Sequence, residues 1–115
     1  MQIIPFKEPS SFREQITLDG VIFVLDFAWN ALNEFWTMSI FNRDVVPLIY
    51  GIKLVPNFPL LSQYIVEGKP AGEIVCQNIV AGLNVIRRFD MSQKFELIYY
   101  SAGELENLAQ EENAV

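Results

Sequence analysis

Apolar and polar side chains alternate with a period of two along much of this chain, which selects strands over helices as its main elements. From Phe12 to Leu18, Phe12, Ile16 and Leu18 share one face, with Glu14 as the exception, while Arg13, Gln15 and Thr17 share the other. Asp19-Gly20 follows, a dipeptide favoured in two-residue hairpin turns because both residues tolerate positive φ. The next run places Val21, Phe23, Leu25, Phe27 and Trp29 on one side and Ile22, Val24, Asp26 and Ala28 on the other. With apolar residues on both faces, this run is expected to be a central strand covered on both sides.

Further strands are expected at Phe35–Phe41, with Trp36, Met38 and Ile40 inward, and at Val46–Leu54. In the latter, Pro47 stands at the start, where a missing N–H costs least, and Gly51 marks a bulge or a close backbone approach. Asn30 to Glu34 reads as a connection, with room for a helical turn between Ala28 and Phe35, and Asn42-Arg43-Asp44 reads as a turn. Pro56-Asn57-Phe58-Pro59 is not expected to sustain a ladder, and Leu60–Tyr64 reads as one short helical turn. After the Gly68–Gly72 turn cluster come strands at Glu73–Val80 and Phe95–Tyr100, separated by an unassigned stretch from Ala81 to Lys94. The expected fold is all-β and mainly antiparallel, a small sandwich or partly open barrel of six or seven strands. A short C-terminal helix from Ala102 to Glu112 completes it, with Ser101 as its cap and Glu104 as the capping-box partner.

A chain of 115 residues suits one domain with a real core, and 51% hydrophobic content is too high for disorder. The 14 acidic and 8 basic side chains leave a net charge of −6. Four of the acids (Glu104, Glu106, Glu111 and Glu112) and no base lie in residues 104–115, leaving 10 acids and 8 bases, or −2, in the rest. The chain therefore divides into a nearly neutral β domain, residues 1–103, and an acidic helix or tail, residues 104–115. Glu111 and Glu112 read as a solvated face. Without a basic stripe, nucleic acid is not an expected partner.

There is no His, which removes the usual near-neutral base, the Ser-His and Cys-His pairs and the commonest zinc ligand. The single cysteine, Cys76, lies among Ile74, Val75 and Ile79 and reads as a small buried hydrophobe. No phosphate-binding glycine loop and no calcium loop is present, so no cofactor or metal is expected. An enzyme would need Asp26, Asp44 or Asp90 to converge in a cleft. No apolar run approaches the roughly 20 residues that span a bilayer, and no signal peptide is evident. These features lead to an expectation of synthesis in a cytosol, with no membrane partner.

Two groups of residues are candidates for contact with a partner. Trp29 and Trp36, with Phe27 and Phe35, form an aromatic cluster that is either core or a sugar-stacking platform. Arg87-Arg88, beside Asp90, is the only adjacent basic pair and reads as a surface salt bridge or an anchor for an acidic partner.

The order of the chain's motifs resembles one known family. Gln2-Ile3-Ile4-Pro5 is followed by Leu18-Asp19-Gly20, Trp29-Asn30 and Trp36, then by Pro47-Leu48-Ile49-Tyr50-Gly51-Ile52-Lys53-Leu54-Val55-Pro56. Leu60-Leu61, Lys69-Pro70-Ala71-Gly72, Arg87-Arg88-Phe89-Asp90 and Leu97-Ile98-Tyr99-Tyr100 complete it. This succession, over residues 2–101, resembles the baseplate plug family of contractile-tailed bacteriophages. One departure is Ala31-Leu32-Asn33-Glu34 after Asn30, in place of an expected shorter and more Gly-rich turn. The resemblance implies a non-catalytic structural protein of the virion tail, made in the host bacterial cytoplasm and placed at the hub near the tube/spike junction. It implies baseplate, hub and spike proteins as partners, and self-association as a trimer. The alternative is a small β module holding a glycan or other ligand on Trp29 and Trp36.

Overall fold

The hairpin expected at Asp19-Gly20 joins β2 (Ser11–Leu18) to β3 (Val21–Asn30), paired from Leu18↔Val21 to Ser11↔Ala28. Asp19 and Gly20 both have positive φ, 51° and 75°, as a two-residue turn matched to strand twist requires. The computed structural model describes residues 1–113, with side chains through Leu108. Its elements continue with β4 (Phe35–Asn42), β5 (Pro47–Lys53), β6 (Glu73–Asn78), β7 (Phe95–Tyr100) and α1 (Ala102–Asn113), and begin with β1 (Gln2–Ile4). Two antiparallel sheets result, β2-β3-β4-β5 and β1-β7-β6.

The sheets share one core. Leu25 and Phe27 of β3, with Trp36, Met38 and Ile40 of β4, are buried in one cluster with Ile74 and Cys76 of β6 and Phe95, Leu97 and Tyr99 of β7. Each such large side chain contributes roughly 2 kcal/mol on leaving water, so this layer is the main source of stability. The architecture is the expected antiparallel sandwich, with no closed barrel.

Several local expectations are refined. β3 is an interior strand, but only one of its faces meets the second sheet. On its outer face Val24 is buried, Ala28 is exposed, and Asp26 is ion-paired with Arg13 of β2 at 2.5 Å. The Arg13 guanidinium in turn lies 5.3 Å from the Phe41 ring centroid, so the sheet's own side chains cover part of this face without a second layer. Gly51 forms a bulge: an extra residue of β5 stands opposite Ser39, and the Gly51 N–H donates to Ser39 Oγ at 3.1 Å. Its φ of 68° selects glycine, and no close approach is involved.

The connection after β3 closes as a single turn, in which the Glu34 N–H donates to Asn30 O and Asn30 Oδ1 accepts from Leu32 and Asn33. Pro56–Pro59 supports more pairing than expected. The prolines have no N–H to give, but Asn57 and Leu60 donate to Cys76 O and Ile74 O and so cover the edge of β6. Leu60–Tyr64 is a turn closed by Tyr64 N–H to Leu61 O and does not continue into a helix. It is held from both sides, since the buried Glu73 carboxylate accepts from Leu61 and Ser62 N–H and the Lys69 ammonium donates to Leu61 O and Tyr64 O. Residues 79–94 contain no strand. Asp90 organises them, its carbonyl accepting from Gln93, Lys94 and Phe95 while Ile86 and Met91 enter the core.

The two sheets are also tied by polar contacts. The buried Tyr99 hydroxyl of β7 donates to Asp19 Oδ2 at 2.6 Å and accepts from the Gly72 N–H at 2.7 Å. Asp19 Oδ2 also accepts from the Ala102 N–H at the start of α1. Helix α1 carries the expected capping box: the Glu104 N–H donates to Ser101 Oγ, and the Ser101 N–H donates to Glu104 Oε1. The Glu104 carboxylate also pairs with the Met1 ammonium, which holds its pKa below the usual carboxylate value. The Glu111-Glu112 pair lies outside the described side chains.

Candidate functional site

The β3–β4 hairpin and the segment 79–94 bring together the four residues that the sequence marks as partner-contact candidates. Trp36 lies on the inner face of β4, one residue from its start at the β3–β4 turn, and is 0% exposed. Phe6, from the β1–β2 connection, meets it edge-on at 4.8 Å, and Trp29 meets it at 5.6 Å from the paired position on β3. The Arg88 guanidinium lies 5.1 Å from the Trp36 ring centroid and 4.4 Å from that of Phe89, and donates to Glu8 O at 2.7 Å. A cation held between two aromatic faces in this way is attracted by both ring quadrupoles.

Above this stack runs a groove of about 420 Å³ lined by Trp29, Glu34, Val85, Ile86, Arg87 and Arg88. A second hollow of about 280 Å³ opens at Arg88, between the Phe6–Glu8 segment and residues Phe89–Gln93. Large apolar side chains are exposed nearby. Leu32 at the tip of the β3–β4 turn is 90% exposed, Val85 61% and Phe89 71%.

One sequence expectation is corrected. Neither Arg87 nor Arg88 forms a salt bridge with Asp90. The tight loop instead turns the Asp90 carboxylate onto the Arg87 backbone N–H at 3.0 Å and leaves it 3.8 Å from the Lys94 ammonium. The exposed Arg87 guanidinium therefore has no ion-pair or hydrogen-bond partner among the described residues. The paired indoles are not both open, since Trp36 is wholly inside while Trp29 is half-buried. The sequence reading missed Val85, Leu32 and Phe89 as surface features. Their one signal was the presence of large apolar residues in stretches without strand period.

Asp26 is bound to Arg13 and Asp90 to its own loop, and no group of three potential metal-ligating side chains occurs among the described residues. Cys76 is fully buried, and burial pushes its thiol pKa up to about 12, so it is the inert core residue expected. Among the described residues no helix is long and apolar enough to cross a membrane.

Fold and surface together define a small two-sheet β domain with an aromatic and cationic groove. The family described as cyanophage baseplate Pam3 plug gp18 matches residues 1–102. The chain belongs to this family, and its role is that of a structural component of a bacteriophage tail baseplate. No curated protein matches the chain. The motifs that carried the resemblance have identifiable work in the fold. Leu-Asp-Gly supplies Asp19, Lys-Pro-Ala-Gly supplies Lys69 and Gly72, and Leu-Ile-Tyr-Tyr supplies Tyr99.

Proposed function

We propose that the chain acts as the plug at the tail hub, near the junction of tube and spike, by packing against other baseplate, hub and spike proteins and without catalysis. The observation that carries this reading is the exposed, unpaired Arg87 guanidinium in a groove bordered by Trp29, Val85 and Ile86. A free cation beside exposed apolar side chains is the composition of a protein-binding anchor. Arg88 is fixed over Trp36 and gives the groove a rigid floor. The further apolar exposure at Leu32 and Phe89 suits burial against neighbours in an assembly, including copies of the same chain in a trimer. Nucleic acid and membrane have no part in this reading, and the working location is the virion tail after synthesis in the host cytoplasm. The glycan-platform alternative needs two open indoles and loses its footing with Trp36 enclosed.

The test is complementation of a phage lacking this protein with the double variant R87E/V85D. Both positions are exposed, so far-UV circular dichroism is expected to match the wild type. Incorporation of the variant into tails is expected to fall by about tenfold or more, in line with loss of an interface anchor. Wild-type incorporation of the folded variant would sink the proposal.

A further inference from the structure

We infer that the groove beside Arg87 receives helix α1 of a second copy of this chain, so that copies associate helix to groove. The inference takes from the proposed function only that this groove is a contact surface. The two complementary features lie at opposite ends of the larger sheet. Helix α1 starts where the Ala102 N–H meets Asp19, at the β2–β3 turn, while Trp29 and Glu34 of the groove flank the β3–β4 turn. The ten residues of β3 separate them by about 30 Å. Among the described residues, none of α1 lines the groove within one molecule.

Charge and shape agree. Residues 104–115 carry four acids and no base. On the described part of the helix, Glu106, Leu105 and Leu108 are all exposed, and the two leucines stand three residues apart on one edge. The groove offers an apolar wall from Trp29, Val85 and Ile86, and two guanidiniums against the one carboxylate of Glu34. A short amphipathic helix laid into such a groove buries its leucine edge and sets its acids near Arg87. Helix α1, with 12 residues, is about 18 Å long.

The same charges select the contact. Joining groove to groove would bring Arg87 against its copy, and joining helix to helix would bring acid against acid. Only the unlike ends attract, and they can meet twice in a reciprocal two-fold pair or once per contact in a head-to-tail ring.

Sedimentation equilibrium on the purified full chain, at about 50 mM and about 500 mM salt, tests the idea. Concentration-dependent association at low salt, weakened by high salt, is expected. R87E and E106R are each expected to weaken it about tenfold, and the double variant R87E/E106R to regain most of the loss. A chain ending at residue 103 is expected to remain monomeric. A full-length chain that stays monomeric at every concentration overturns the inference, as does a truncated chain that associates as tightly as the intact one. Either result removes the helix as occupant, whereas failure of the tail-incorporation assay removes the groove itself.

Discussion

The Tyr99 hydroxyl and the Asp19 carboxylate, 80 residues apart in sequence, meet at 2.6 Å and join the smaller sheet to the tip of the β2–β3 hairpin. The same hydroxyl accepts from the Gly72 N–H, so one oxygen serves a donor and an acceptor in a buried setting. Burial, and then the bond to Asp19, hold the phenol well above its usual pKa and keep it a neutral donor. Removing it with Y99F leaves the Gly72 N–H without an acceptor. A loss of about 2 kcal/mol is expected, or a melting temperature lower by about 10 °C. An unchanged melting temperature would show that the contact is not structural.

Gly72 is required by space. A Cβ built there would stand 2.0 Å from Tyr100 O and 2.7 Å from the Tyr99 hydroxyl oxygen, and the first of these is backbone that cannot swing away. G72A is expected to cost more than about 3 kcal/mol, because β6 must move off β7 to admit the methyl group. Urea titration of the variant checks this, and a midpoint equal to that of the wild type would refute it.

Glu73 and Lys69 hold the Leu60–Tyr64 turn from opposite sides. The Glu73 carboxylate accepts from Leu61 at 2.6 Å and Ser62 at 3.0 Å, which an amide replaces only in part. E73Q is expected to speed exchange of the Leu61 and Ser62 amide protons by about tenfold while leaving the strand amides of β3 and β4 protected. Uniform loss of protection would mean that the turn is not a separate unit.

Glu14 faces the core side of β2, and its Oε1 is buried without a partner among the described residues. Burial raises its pKa, against an opposing effect from Lys7. The folded form therefore holds the proton to higher pH than the unfolded chain, so this group's contribution to stability falls as pH rises from the unfolded to the folded pKa. E14Q is expected to raise the melting temperature by about 2–3 °C at pH 7, a modest gain because the side chain is partly solvated, and to have little effect near pH 4. A destabilised variant at pH 7 would overturn this.

The acidic segment is expected to be dispensable for the fold. Leu105 and Leu108 are exposed, and among the described residues α1 is bonded to the body through its first turn, at Ala102 and Glu104. A chain ending at residue 103 is expected to melt within about 3 °C of the intact protein. A larger fall in differential scanning calorimetry would show that the helix is docked.

Local chemistry made much of the architecture legible. Asp19-Gly20 announces its hairpin because positive φ is cheap there, and the alternation of Phe95, Leu97 and Tyr99 defines β7 from Phe95 to Tyr100 as observed. β1 was not legible, because Gln2-Ile3-Ile4 is too short to show a period and depends on pairing with β7. The Ala81–Lys94 stretch has no period either, and its conformation comes from the carbonyl and carboxylate of Asp90.

By itself the sequence determined the class of fold, the absence of histidine chemistry, the segregation of acid into residues 104–115 and the family. These depend on residue type and near-neighbour spacing, which a linear chain displays. Only the tertiary structure decided that Arg88 stacks on Trp36, that Arg87 has no partner among the described residues and that Gly72 admits no side chain. Those facts join residues tens of positions apart, and nothing in local spacing encodes which distant side chains a closed sandwich will press together.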